Sequence, residues 1–202
     1  MQREAGLRER KKQATRQALA FAALRLTVER GFDGVLVEDI AAAVNVSPRT
    51  FNNYFASKPE AVCALAADRA HRLGAALRAR PAGEPLWDAI TATVLAELGG
   101  GAPDQVPDRM WIDGLRLVLG TPAMQGEYLR AQAAMQRALS AAVAERLGGT
   151  GRPAVDLLPD VVGGAVAAAC DVATRHWLRA DPPVPLGPLL RAALGHLRGS
   201  LS

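Results

Sequence analysis

Residues 47–58 read SPRTFNNYFASK. Wound as a helix, this stretch puts Arg49, Asn52 and Asn53 on one face and Phe51 and Phe55 on the other. An arginine guanidinium matches the O6 and N7 of guanine. An asparagine carboxamide matches the N6 and N7 of adenine. One face therefore carries the two side-chain types that read base edges in a DNA major groove. Thr50, Tyr54 and Lys58 add hydroxyl and ammonium donors suited to phosphate oxygens, contacts that fix register rather than sequence. Lys11 and Lys12 lie upstream as further phosphate candidates, in a basic arm with Arg3, Arg8, Arg10 and Arg16. In a narrow minor groove such arginines have a physical role.

The elements that must hold these side chains can be read from spacing. A first helix spans about Leu7 to Arg30, with Leu19, Ala22, Ala23 and Leu26 as one apolar stripe and Gly31 as its stop. A short helix, Val37–Val44, carries Ile40 and Val44 inward, with Ala41 and Ala43 allowing close packing. After a turn at Asn45-Val46-Ser47, Ser47 caps a third helix that opens with Pro48 at its first position. Two short helices joined by a tight turn, the second bearing base-reading side chains, is the geometry of a helix-turn-helix. The start of the next helix, near Lys58–Glu60, offers a positive dipole end for another phosphate.

Six more helices follow. They are expected near Pro59–Ala79, Pro85–Leu98, Pro107–Leu119, Thr121–Leu147, Val155–Arg179, with a kink at Pro159, and Leu186–Leu197. The whole reads as an all-α chain of about nine helices. A helix-turn-helix domain over residues 1–58 precedes a helical effector-binding and dimerisation domain over 59–202. The charge agrees with that division. The chain has a net charge of +4, and residues 1–60 hold 10 Lys+Arg against 7 Asp+Glu, including all three lysines. Alanine abundance favours helix, and 4% aromatics is low for a sheet protein.

The stretch Gly31–Val62 resembles the DNA-binding domain of the TetR-type transcriptional regulators. Gly31, Phe32, Val37, Ile40, Ala41, Val46, Ser47, Thr50, Phe51, Tyr54, Phe55, Ser57 and Lys58 match that family's pattern. Three positions depart from it. Leu36 stands where a capping threonine is usual, Asn45 where a turn glycine is usual, and Asn52 where a tyrosine is usual. Leu36 predicts a weaker helix cap, and Asn52-Asn53 predict a changed base preference. The resemblance implies a cytoplasmic homodimer that binds a palindromic operator in double-stranded DNA. It implies a repressor released by a small, largely apolar effector. The segment Arg116–Leu147 with Trp177 is similar to the effector domain of a subgroup that senses acyl-coenzyme A thioesters. The alternative is a DNA-binding activator, or a regulator without a small-molecule effector.

The bulky or soft residues of the C-terminal part are candidates to line the effector pocket: Trp87, Met110, Trp111, Leu115, Met124, Tyr128, Met135 and Trp177. The small residues Gly163, Gly164 and Ala167, with Leu190 and Leu194, are candidates for the dimer interface. No nucleophile elbow, phosphate loop or paired catalytic carboxylates are present, so no enzyme and no catalytic residue is expected. No metal-ligand spacing and no cofactor motif is found. Cys63 and Cys170 are expected as buried free thiols of a reduced compartment. The N-terminus lacks the apolar core of a secretory signal, and the longest apolar run, Val161–Cys170, is too short to span a bilayer, so no membrane association is expected.

Overall fold

The structure is a computed structural model that describes residues 2–99, 106, 108–148 and 157–200, the side chains of 2–7 and 200 excepted. Among the described residues there are nine helices and no strand. They are α1 (Gln2–Arg30), α2 (Val37–Ala43), α3 (Pro48–Asn52), α4 (Lys58–Ala79), α5 (Leu86–Leu98), α6 (Arg109–Gly120), α7 (Pro122–Arg146), α8 (Leu158–Trp177) and α9 (Leu186–Ser200). The all-α expectation and the order of helices hold. α1 starts five residues earlier than the apolar stripe implies. Pro159 sits in the first turn of α8 as described, a position where proline is tolerated. The expected helix starts at Pro107 and Val155 and the loop residues Gly149–Pro153 lie outside the described residues.

The chain divides into two compact units, residues 1–66 with 110–128, and residues 67–109 with 129–202. In the first, the α1 stripe is buried as expected, with Leu19 and Ala23 fully so. It closes on Ile40, Ala41, Phe51, Phe55, Val62 and Met124, all 2% exposed or less. Phe51 and Phe55 pack ring to ring at a centroid distance of 5.6 Å. Val44 is only half-buried. Ala43 is exposed, which corrects its expected packing role: Ile40 and Ala41 are the buried residues of α2, and Val37 packs against the same core half-buried.

The second unit is held by different means. α9 packs along α8 and α5. α8 comes so close to α7 that a Cβ added at Gly163 would stand 2.8 Å from the Ser140 amide nitrogen. The Trp177 indole is buried and donates to the Val184 carbonyl at 2.6 Å. The Arg146 guanidinium, at the end of α7, donates to the carbonyls of Arg80, Pro81 and Glu84 at 3.0, 2.9 and 3.0 Å. That side chain satisfies carbonyls that the end of α4 and the loop after it leave open. No helix among the described residues is long and apolar enough to cross a membrane.

Candidate nucleic-acid interface

The turn between α2 and α3 sets the interface. Asn45 adopts φ +55°, the left-handed conformation that asparagine tolerates better than most residues. The Ser47 hydroxyl accepts from the Thr50 amide at 3.1 Å and lies 2.9 Å from the Thr50 hydroxyl, closing the first turn of α3. With Phe51 buried on the inner side, Arg49, Asn52 and Asn53 are exposed together on the outer side. The structure thus brings the three expected base readers onto one solvent-facing surface. Thr50 and Tyr54 are half-buried. Thr50 shares its hydroxyl with Ser47, and Tyr54 packs against the core.

Lys58 has a second occupation that the sequence reading did not foresee. Its ammonium donates to the carbonyls of Phe32 at 2.5 Å and Val35 at 2.7 Å and lies 4.0 Å from the centre of the Phe32 ring. Two of its three protons thus tie α4 to the loop before α2, which is a fold contact rather than a free phosphate donor. Its expected phosphate role is corrected accordingly. The expected anion seat at the start of α4 is corrected too. The Glu60 carboxylate accepts from the Ala56 amide at 2.7 Å, and the Ser57 hydroxyl accepts from the Glu60 amide at 3.2 Å. A carboxylate of the chain itself already stands at that dipole end.

At the start of α2, the Asp39 carboxylate accepts from the Leu36 amide at 2.9 Å, while the leucine side chain offers no acceptor in return. Only half of a reciprocal cap is made. Leu36 is 62% exposed, so its apolar side chain is not recruited to the core either.

Lys11 and Lys12 are exposed on α1. Arg8, Arg10 and Arg16 lie on that same helix, so the basic arm is a helical segment of α1. The Arg16 guanidinium sits over the Phe55 ring at 5.1 Å, which ties α1 to the end of the helix-turn-helix. The Arg3 side chain lies outside the described residues.

The expected effector-pocket residues divide between the two units. Met110, Trp111, Leu115, Met124 and Tyr128 belong to the first, and Trp87, Met135 and Trp177 to the second. Met124, Met135 and Trp177 are 0%, 7% and 2% exposed. This corrects their role to core filling. Met124 belongs to the buried cluster that includes Leu19, Phe51 and Phe55, and Trp177 is locked by its hydrogen bond to Val184. Trp87, Met110, Trp111, Leu115 and Tyr128 are half-buried.

The expected dimer residues are likewise inside one chain. Ala167, Leu190 and Leu194 are 7%, 0% and 2% exposed, and Gly163 lies against Ser140 of α7. A side chain with no surface left cannot meet a partner, so these four are corrected to intrachain packing; Gly164 is half-buried. The opposite face of α8 is the open one. Leu158, Val161 and Val172 are 53%, 53% and 64% exposed and fall at helical spacing with Ala165 and Ala168. The 161, 165, 168, 172 recurrence is legible in the sequence.

Cys63 and Cys170 are buried free thiols. Burial, with Glu127 beside Cys63 and Asp171 beside Cys170 adding to it, pushes each thiol up to about 12. No group of histidine, cysteine or carboxylate side chains among the described residues is arranged to hold a metal ion.

Comparison with known proteins agrees with this geometry. Residues 21–62 match the family described as bacterial regulatory proteins, tetR family, and residues 84–202 match the MftR C-terminal domain. The HTH-type transcriptional regulator TcmR of Streptomyces glaucescens is 36% identical over 205 residues, covering 97% of this chain and 88% of that protein. A TetR-family transcriptional regulator from Rhodococcus sp. has the same fold, with a TM-score of 0.61 at 19% identity over 93% of this chain and 98% of its own. The multidrug binding protein EbrR, solved with malachite green, gives a TM-score of 0.56 at 20% identity over 90% of this chain and 96% of its own.

Proposed function

The chain belongs to the TetR family of transcriptional regulators, not of enzymes, and from that premise we propose that it is a repressor. In this reading a dimer binds a palindromic operator and is released by a small, largely apolar effector. The observation that carries it is the exposed trio Arg49, Asn52 and Asn53, presented on α3 by a buried Phe51. Arg49, Asn52 and Asn53 contact bases. Thr50, Tyr54, Lys11 and Lys12 contact phosphates. Residues 1–58 form the DNA-binding domain and 59–202 the effector-binding and dimerisation domain.

Two symmetric half-sites need two recognition helices about 34–36 Å apart, which a monomer cannot supply. The exposed α8 stripe of Leu158, Val161 and Val172 supports a second copy as its cover. The effector works only through different affinities for the DNA-bound and free states. EbrR, solved with malachite green, is an example of this fold holding a small organic molecule. Acyl-coenzyme A thioesters are the first effectors to screen.

The test is a titration of labelled DNA from the region flanking the protein's own gene, with and without a panel of such thioesters. Specific binding reversed by one of them supports the reading. Equal binding to unrelated DNA overturns the repressor claim.

A further inference from the structure

Beyond the effector reading, the seam between α4 and α7 in the second unit opens a cleft of about 290 Å³. It is lined by His71 and Arg78 of α4 and by Ala134, Arg137 and Ala138 of α7. The two helices touch at Gly74, where an added Cβ would stand 2.9 Å from the Ala138 carbonyl oxygen. His71 and Arg78 lie about one helical turn to either side of that contact. Two guanidinium groups and an imidazole thus share one opening whose lining includes no carboxylate. Arg78 has an acidic partner outside that lining, Glu145, whose carboxylate accepts from the Arg78 Nε at 2.8 Å. It engages one edge of that guanidinium. Among the described residues, His71 and Arg137 have no hydrogen-bond or ion-pair partner.

We propose that this cleft binds a small organic anion, a carboxylate or phosphate head on a short apolar body. The head would meet Arg137 and the outer edge of Arg78, with His71 as a further donor, since guanidinium groups pair with both oxyanion geometries. Ala134 and Ala138 provide a small apolar floor for the body. The site lies within one unit and uses none of the residues assigned to DNA.

The test is calorimetric titration of the full-length protein with hexanoate, hexyl phosphate and, as a neutral control, hexanol. The expected result is saturable binding of hexanoate, hexyl phosphate or both, with a Kd below roughly 1 mM. Which of them binds tells carboxylate from phosphate. Arg137→Ala should weaken that binding about tenfold or more, as loss of a charge-assisted hydrogen bond requires. His71→Ala should weaken it less. Both positions are exposed, so the melting temperature should stay at the wild-type value. Three outcomes overturn the proposal: no saturation by either anion, hexanol binding as tightly as the anions, or unchanged anion binding in Arg137→Ala. The last would put the anion elsewhere in the protein while leaving the effector reading untouched.

Discussion

At the scale of single residues, Arg49 is the sharpest case. It is exposed on α3, and no partner among the described residues competes for its guanidinium. Arg49→Ala should cost about 1–3 kcal/mol of operator affinity and relax base choice at one position. Anisotropy titrations against operators varied base by base check this; equal loss on operator and random DNA would contradict base reading. The two cysteines give a second residue-scale expectation. Their thiols, raised from about 9 to about 12 by burial, stay protonated through neutral pH. The native protein should react slowly with a thiol reagent at about pH 8, and the unfolded chain should react at both sites. The sign of the linkage follows. The unfolded chain releases these protons first, so their contribution to stability is whole below about 9 and falls as pH rises toward about 12. Fast labelling of the native protein would show that these positions open readily.

At the scale of elements, three joints decide whether the recognition surface is held. Lys58 ties α4 to the carbonyls of Phe32 and Val35. Lys58→Met should destabilise the protein by about 2–3 kcal/mol in a denaturant melt. A purely phosphate-binding lysine would instead leave the melt alone and reduce the salt slope of DNA binding by about one. Leu36 is an exposed residue at a cap position that makes only half of its cap. Leu36→Ser supplies the missing acceptor and should stabilise the protein by about 1 kcal/mol. Gly163→Ala should destabilise it by about 1–3 kcal/mol, because the new methyl meets Ser140 of α7. An unchanged melting temperature would mean that α7 and α8 can separate at no cost.

Most of these elements were legible beforehand because their signals are local. The α1 stripe, the Ser47-Pro48 start and the glycine after Arg30 each act within one turn of chain, and each appears as read. The joints between elements were not legible. Which face of α8 meets α7, where the Lys58 ammonium goes, and that Glu60 fills its own helix end all depend on residues distant in sequence or on competing side chains. Leu190 and Leu194 illustrate the limit. Their spacing marks an apolar face of α9, but not whether α8, α5 or a second copy covers it.

At the scale of the whole molecule, three of the four net positive charges fall within residues 1–60, together with every lysine. This charge bias and the exposed α3 trio belong to the same part of the chain, as a DNA-binding end requires. The open apolar stripe on α8 should be covered by a second copy. Val161→Asp with Val172→Asp should therefore convert a dimer to a folded monomer in sedimentation, whereas a wild-type monomer at micromolar concentration would contradict the dimer. The central claim is that α3 reads sequence. It is tested most directly by anisotropy titration of the wild-type protein and the Asn52→Ala/Asn53→Ala variant against the operator and a scrambled duplex at one salt concentration. The account predicts a wild-type preference for the operator of about a thousandfold or more, collapsing in the variant while binding to the scrambled duplex is kept. A wild-type preference near one, or a preference that survives in the variant, would contradict it.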